Sequence, residues 1–184
     1  MNTETKQKDT KKDSEKDSKN TKKRSKKKRR SGRGSKARRS EFDQKIVDIR
    51  RVTRVVAGGR RFSFSVTAVV GDHKGKVGVG IGKSSDTSLA IGKAMRNAEK
   101  NAITISRTKD GSIPHDVKAK FKASEVIIRP AAGRGLVAGS SVRTVLELAG
   151  VTDVNAKLVS RSKNKLNNAR AAIKALQGLE KVNS

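Results

Sequence analysis

A strict alternation of apolar and polar residues runs through the segment 62–70. The apolar side chains that share one face are Phe62, Phe64, Val66, Ala68 and Val70. Ser63, Ser65 and Thr67 point the other way, so the two-residue period predicts a strand with a core face and a wet face. We expect both phenylalanines to lie in the core rather than to serve as platforms for stacked bases.

The residues that follow predict a hairpin and a return strand. Residues 71–75 are typical of a hairpin connection, and Val77, Val79 and Ile81 then share one face. The opposite face is bare, because it carries Gly78, Gly80 and Gly82. A bare face lets another backbone come close, and the pattern leaves open whether that backbone is a helix of this chain or a nucleic acid.

Apolar periodicity starts at Phe42 and extends almost to the end of the chain. It predicts strands over 45–56, 61–71 and 76–81 and a helix over 87–102, with Ser85 or Asp86 as its N-cap. After a polar linker at 107–112, it predicts strands over 117–123, 125–129 and 156–161 and helices over 140–149 and 166–179, the last capped by Asn164. The predicted fold class is α+β: a three-strand sheet with a covering helix, followed by a second small α+β domain.

The predicted divisions are a tail at 1–40, a first domain at 41–106 and a second domain at 107–184. Domains of this size bury about 60% of their unfolded surface and are marginal alone. We therefore expect the two to pack on each other or on a large partner.

Charge narrows the class of partner. The chain has 45 Lys and Arg against 17 Asp and Glu, a net charge of +28, which implies a polyanion. The tail carries +13 of this net charge, and Ala37 is its one apolar residue after Met1. We therefore expect the tail to be disordered when free, and we expect residues 22–39 to be the part that binds RNA. With no apolar run of 18 residues and a polar start, the sequence predicts neither membrane association nor a secretory leader. The lack of Cys excludes disulfides and thiolate chemistry and fits the cytoplasm.

Patterns that suggest catalysis fall short. Gly82-Lys83-Ser84 ends like a P-loop, but Val77 stands where that motif needs glycine. His73 and His115 lie in a turn and a linker without enough neighbouring ligands for a metal, and we expect them to be solvated turn residues. We expect no catalytic residue, no metal and no cofactor, and therefore no enzyme.

Basic residues concentrate at glycine-bearing turns, where main-chain N–H groups and arginine forks can meet phosphates. The predicted RNA-binding residues are Arg50, Arg51, Thr53, Arg54, Gly58, Gly59, Arg60, Arg61, Lys74, Lys76 and Lys83. A second glycine loop, Gly133-Arg134-Gly135, is flanked by Arg129 and Arg143. Contact with some eight phosphates gives a salt slope of about −6 to −7.

Several segments of the sequence resemble a known protein family. The segment GGRRFSFSVTAVVGDHKGKVGVGIGKS at 58–84 and the following AIGKA resemble the signature of the bacterial-type family of small-subunit ribosomal protein number five. VIIRPA at 126–131, Gly133-Arg134-Gly135 and VLELAGV at 145–151 are similar to its second domain. The resemblance covers the predicted folded body, from about Phe42 to Leu179.

The resemblance implies a first domain like a double-stranded-RNA-binding module, a second domain with the domain-2-like α+β fold named after this family, and a structural role in the cytoplasmic small ribosomal subunit. It implies binding to 16S rRNA and to mRNA at the entry channel, with proteins four and eight as neighbours and protein three nearby. The turn at 56–61 corresponds to the family's RNA-facing loop. Gly133, Arg134, Gly135 and Arg143 correspond to the side that faces protein four and bears on translational accuracy. Two residues depart from the family pattern: Ala57 stands at a commonly basic position, and Arg61 at a commonly apolar one.

Two other readings remain open on the residues alone. A free RNA chaperone or annealing factor would use the tail as a nonspecific polycation. An enzyme acting on RNA would cleave or modify it.

Overall fold

The computed structural model describes residues 42–108 and 110–179 of the 184-residue chain. The predicted basic tail, its proposed RNA-binding half and the last five residues therefore lie outside the described residues.

The first sheet is antiparallel, with its strands in sequence order. Its strands are β1 (Asp43–Val56), β2 (Gly59–Gly71), β3 (Lys76–Ser84) and β4 (Ile103–Thr104). Helix α1 (Thr87–Lys100) follows β3, and the Asp86 carboxylate caps it by accepting from the Ser88 N–H. The register of β1 against β2 shifts between Ile46 and Asp48, where β1 bulges.

The second sheet has the strand order β5-β6-β8-β7, in which only the β7–β8 pair is parallel. Its strands are β5 (Val117–Phe121), β6 (Ser124–Pro130), β7 (Leu136–Val137) and β8 (Val154–Leu158). Helices α2 (Ser140–Ala149) and α3 (Lys165–Gln177) complete it. Asn164 caps α3, and Gly150 ends α2 in the left-handed region.

The α+β fold class is confirmed, and every predicted element is present with its ends moved by a few residues. The two-residue strands β4 and β7 were not predicted, so the first sheet has four strands rather than three. The polar linker is a turn in which the Thr108 N–H donates to the Ser112 carbonyl at 2.9 Å.

The bare face of β3 is covered by helix α1. A Cβ at Gly80 would collide with the Ala94 carbonyl oxygen and the Ala98 nitrogen, and one at Gly82 would collide with the Ala90 carbonyl oxygen. The three alanines are fully buried. The close backbone partner of this face is therefore a helix of this chain.

Both faces of the inner half of the first sheet are covered. Val66 and Ala68 pack with Ala90 and Ala94 of α1 on one face. On the other face, Val69 joins a core shared with the second sheet and its helices. Thr67, expected on a wet face, is buried for the same reason. The two halves of the folded body pack on each other, as their small size requires.

The turn between β2 and β3 contacts the end of α2. The His73 N–H donates to the Leu148 carbonyl at 3.0 Å, and the His73 Nδ1 lies 2.9 Å from the Glu147 carbonyl. Arg107 donates to the carbonyls of His73 and Gly150 at 3.2 and 3.0 Å. The His73 side chain is half exposed, as expected for a turn residue, and its main chain also joins the first sheet to the end of α2.

Candidate nucleic-acid interface

The β1–β2 hairpin extends beyond the helix that covers it. Helix α1 has 14 residues and is about 21 Å long, whereas the 13 residues of β2 reach about 43 Å. Every residue from 49 to 62 is exposed except the half-buried Val56. We call residues 49–63 the outer hairpin. Because no other described element covers it, the outer hairpin is open to a partner.

This geometry corrects the expectation for Phe62. Phe64 is half-buried against the cluster of α1 and β2, but Phe62 lies beyond the helix and is 45% exposed. The Arg51 guanidinium lies 4.3 Å from the centre of the Phe62 ring. Phe62 is therefore not a core residue, although it shares a face with Phe64.

One face of the outer hairpin is strongly basic. Arg54 pairs directly with Arg61, and Arg50, Ser65 and Lys83 form a row across three strands. We call the face that carries Arg50, Arg54, Arg61 and Lys83 the basic face. Like charges directly opposite each other in a ladder repel. An anion between Arg54 and Arg61 relieves that repulsion.

Among the residues that the structure describes, one cation of the basic face has an acidic partner. Arg50 is paired with Asp48, which also lies 3.5 Å from the Lys165 ammonium. In the ranges 42–108 and 110–179, no ion pair involves Arg54, Arg61 or Lys83. These three charges are therefore available to an external polyanion.

The predicted residues of the hairpin divide between its two faces, as the strand period requires. Thr53 pairs with Phe62 and Arg51 with Phe64, so both residues lie opposite to the basic face. Arg60 shares that second face with Val55, which is 74% exposed. The second face thus combines two arginines with exposed apolar side chains.

The hairpin turn exposes its main chain. Gly59 has a φ of 115°, a conformation that favours glycine, and a Cβ at Gly58 or Gly59 would meet nothing within 4 Å. The backbone there can approach a partner without a side chain intervening.

Lys74 and Lys76 lie far from Lys83. Lys76 and Lys83 are at opposite ends of β3, seven residues or about 23 Å apart. The main-chain N–H groups of Lys74 and Lys76 both donate to the Asp72 carboxylate at 2.8 Å. Burial alone would raise the pKa of Asp72, but these N–H groups outweigh it and lower the pKa. The predicted RNA-binding residues therefore belong to two separate regions of the first sheet.

The second glycine loop is on the other sheet. Gly133 and Gly135 have φ values of 72° and 65°, and the Gly135 N–H donates to the Asp153 carboxylate at 3.0 Å. Arg134 and Arg143 are exposed, whereas Arg129 is paired with Asp116 at 3.1 Å. The loop is held by hydrogen bonds and presents Arg134 to solvent.

Three basic residues of α1 were not predicted from the sequence as part of a binding site. Lys93, Arg96 and Lys100 line a concave surface beside β3 together with Lys83. Their spacing of three and four residues puts them on one helix face, away from the buried Ala90, Ala94 and Ala98. A helical projection of 87–100 would have revealed this basic stripe.

Within 42–108 and 110–179, no three His, Cys, Asp or Glu side chains are grouped so that they could hold a metal ion. None of the helices described there is long and apolar enough to cross a membrane.

Comparison with known proteins identifies the family. Residues 42–106 match the model of ribosomal protein S5, N-terminal domain, and residues 119–184 match that of ribosomal protein S5, C-terminal domain. The two models together cover both sheets except the first two residues of β5, in the order expected from the sequence.

Individual relatives agree. The chain is 49% identical to small ribosomal subunit protein uS5c of Rhodomonas salina over 79% of this chain and 86% of that protein. It is 50% identical to small ribosomal subunit protein uS5 of Synechococcus elongatus over 76% of this chain and 78% of that protein. The chain therefore belongs to the ribosomal protein S5 family and is a structural ribosomal protein rather than an enzyme.

Proposed function

We propose that this protein is a component of the small ribosomal subunit and that its outer hairpin binds 16S rRNA. The observation that carries the proposal is the directly opposed pair Arg54 and Arg61, which has no acidic partner among the described residues. Such a pair destabilises the free hairpin and is relieved by a polyanion. The relatives named small ribosomal subunit proteins support ribosomal RNA as that polyanion.

The contact is made mainly to phosphates. Arginine forks bind phosphate oxygens with two parallel hydrogen bonds, and the space around Gly58 and Gly59 lets an RNA backbone approach the main chain. The chain has only four aromatic residues, all of them Phe. Contacts to phosphates fix position and orientation without reading bases. The outer hairpin therefore recognises the shape of a folded RNA.

A division of labour between the two sheets follows. Each sheet is built from one side of the linker, which supports the division into domains at 41–106 and 107–184. The first domain binds 16S rRNA, with Lys74 and Lys76 as a second contact region. The second domain contacts proteins four and eight, with protein three nearby, and its loop at Gly133 to Gly135, together with Arg143, bears on translational accuracy. The family resemblance also supports roles in subunit assembly and in unwinding mRNA at the entry channel.

A high-salt wash of small subunits tests this function. The tagged full chain is expressed in its host, and subunits are sedimented through about 0.5 M salt, where the loss of nonspecific RNA contacts is steep. We expect the chain to stay with the small subunit. Its complete release at moderate salt would favour a free RNA chaperone or annealing factor and would contradict the proposal.

A charge-matched pair of variants then isolates the hairpin. Arg54→Gln with Arg61→Gln removes two cations from the basic face, and Lys120→Gln with Lys157→Gln removes two from the exposed side of the second sheet. The proposal predicts weaker retention for the first double variant only. Equal retention of both would exclude the basic face as the main RNA contact.

A further inference from the structure

The concave surface between α1 and the free edge of β3 carries a second, separate accumulation of positive charge. It has a volume of about 360 Å³ and is lined mainly by Lys83, Lys93, Arg96, Asn97 and Lys100. We call it the α1 notch. It lies beside β3, which strand β2 separates from β1, the strand that carries Arg50 and Arg54.

The edge of β3 is free at this place. Strand β4 pairs only with Lys76 and Val77, so no strand from residues 42–108 or 110–179 covers the edge farther along. The carbonyl oxygens of Ile81 and Lys83 on this edge accept from Asn97 Nδ2 at 3.0 Å and from Lys93 Nζ at 3.4 Å. The N–H and carbonyl groups of one residue point to the same side of an extended strand. The N–H groups of Ile81 and Lys83 therefore face the notch as well.

The charges in the notch are not neutralised by acids in the described part of the chain. None of the ion pairs formed by residues 42–108 and 110–179 involves Lys83, Lys93, Arg96 or Lys100. The one acidic residue within α1, Glu99, does not line the notch. Lysine and arginine side chains that converge beside main-chain N–H groups form the kind of surface that binds phosphate.

We propose that the α1 notch is a second phosphate-binding site that holds the backbone of an RNA strand. This inference rests on the proposed function, since ribosomal RNA is the phosphodiester that would fill it. The notch and the basic face share Lys83 and lie on either side of β3. RNA bound at both the notch and the basic face would contact the first sheet on two sides of β3. Two contacts fix the orientation of the domain better than one does.

The test measures the affinity of the purified full chain for a 16S rRNA transcript as a function of salt. The test variant combines Lys93→Gln, Arg96→Gln and Lys100→Gln, since glutamine keeps a high helix propensity. The control combines Lys120→Gln, Lys157→Gln and Lys163→Gln, which removes the same charge from exposed positions of the second sheet and the loop after it. Circular dichroism verifies that both are folded.

We expect the notch variant to lose roughly a hundredfold in affinity near 0.1 M salt and its salt slope to fall by about 2–3, at ~0.7–0.9 per phosphate contact. The control should change by less than about threefold. A notch variant with the same slope as the control would overturn the notch while leaving the proposed function intact. Failure of the unsubstituted chain to bind the transcript would count against the proposed function itself. If the triple variant does not fold, Arg96→Gln with Lys100→Gln is used, and a slope reduced by about 1–2 is expected.

Discussion

Arg54 and Arg61 lie directly opposite each other on neighbouring strands, and their side chains share one face of the hairpin. In the free protein this arrangement costs stability, because two guanidinium groups repel across a ladder without an acid between them. The same arrangement favours RNA binding, because a phosphate can neutralise both. Stability and binding should thus respond in opposite directions when one arginine is removed.

The substitution Arg61→Gln tests this trade. We expect it to stabilise the free protein by about 0.2–1 kcal/mol, since it removes a like-charge pair. RNA affinity should fall at the same time, with the salt slope reduced by about 1. Thermal unfolding and a salt titration of RNA binding measure the two effects. A loss of both stability and affinity would show that Arg61 makes a stabilising contact in the free fold.

The glycines of β3 predict a contrast within one motif. Gly80→Ala should destabilise the protein by about 2–3 kcal/mol, because its new Cβ meets the backbone of α1 at Ala94 and Ala98. Gly92→Ala is the matched control, since its Cβ would have only Arg96 Nη2 nearby, at 3.9 Å. In the interior of α1 it should stabilise by about 0.5–1 kcal/mol. Urea unfolding that gave both variants the same stability would contradict the close packing of α1 on β3.

The two phenylalanines of β2 should differ although they share a face. Phe64→Ala removes a half-buried ring and should cost about 2–3 kcal/mol, near the lower end for an aromatic residue. Phe62→Ala should cost about 1 kcal/mol or less, mostly through its contact with Arg51. Chemical denaturation of both variants measures the difference. Equal losses in the free energy of unfolding would indicate that Phe62 is a core residue.

The Asp72 carboxylate predicts a pH dependence. Its pKa is lowered because hydrogen bonds from main-chain N–H groups outweigh burial. A depressed pKa in the folded state means that the carboxylate stabilises the fold above about pH 4, the unfolded value, and that this contribution disappears as the pH falls through the folded pKa. The stability difference between the protein and Asp72→Asn should therefore be larger at pH 7 than at pH 3. A difference that does not vary with pH would exclude a role for the charge.

Periodicity predicted the order of the longer elements, the N-cap Asn164 and, as one of two candidates, the N-cap Asp86, because alternation, helical spacing and capping residues are local signals. It did not predict β4 and β7, since two residues are too few to show a period. The alternation at 62–70 showed which face of β2 each side chain lies on, but it did not show how far α1 extends along β2. Whether Phe62 is covered depends on the lengths of α1 and β2, which is why Phe62 was misassigned.

The residues of the candidate site were predictable from the sequence, but their placement in space was not. The basic residues at the hairpin were visible as a cluster in sequence, but their division between two faces required the register. The α1 notch combines residues from a strand and a helix ten or more positions apart, and it depends on the free edge of β3. Lys83 belongs to both the basic face and the notch, which the sequence alone does not reveal.

A density map of small subunits that contain this chain tests the central claim most directly. The account predicts that the outer hairpin lies against 16S rRNA with phosphate density between Arg54 and Arg61. A hairpin that projects into solvent, or contacts only protein, would contradict it.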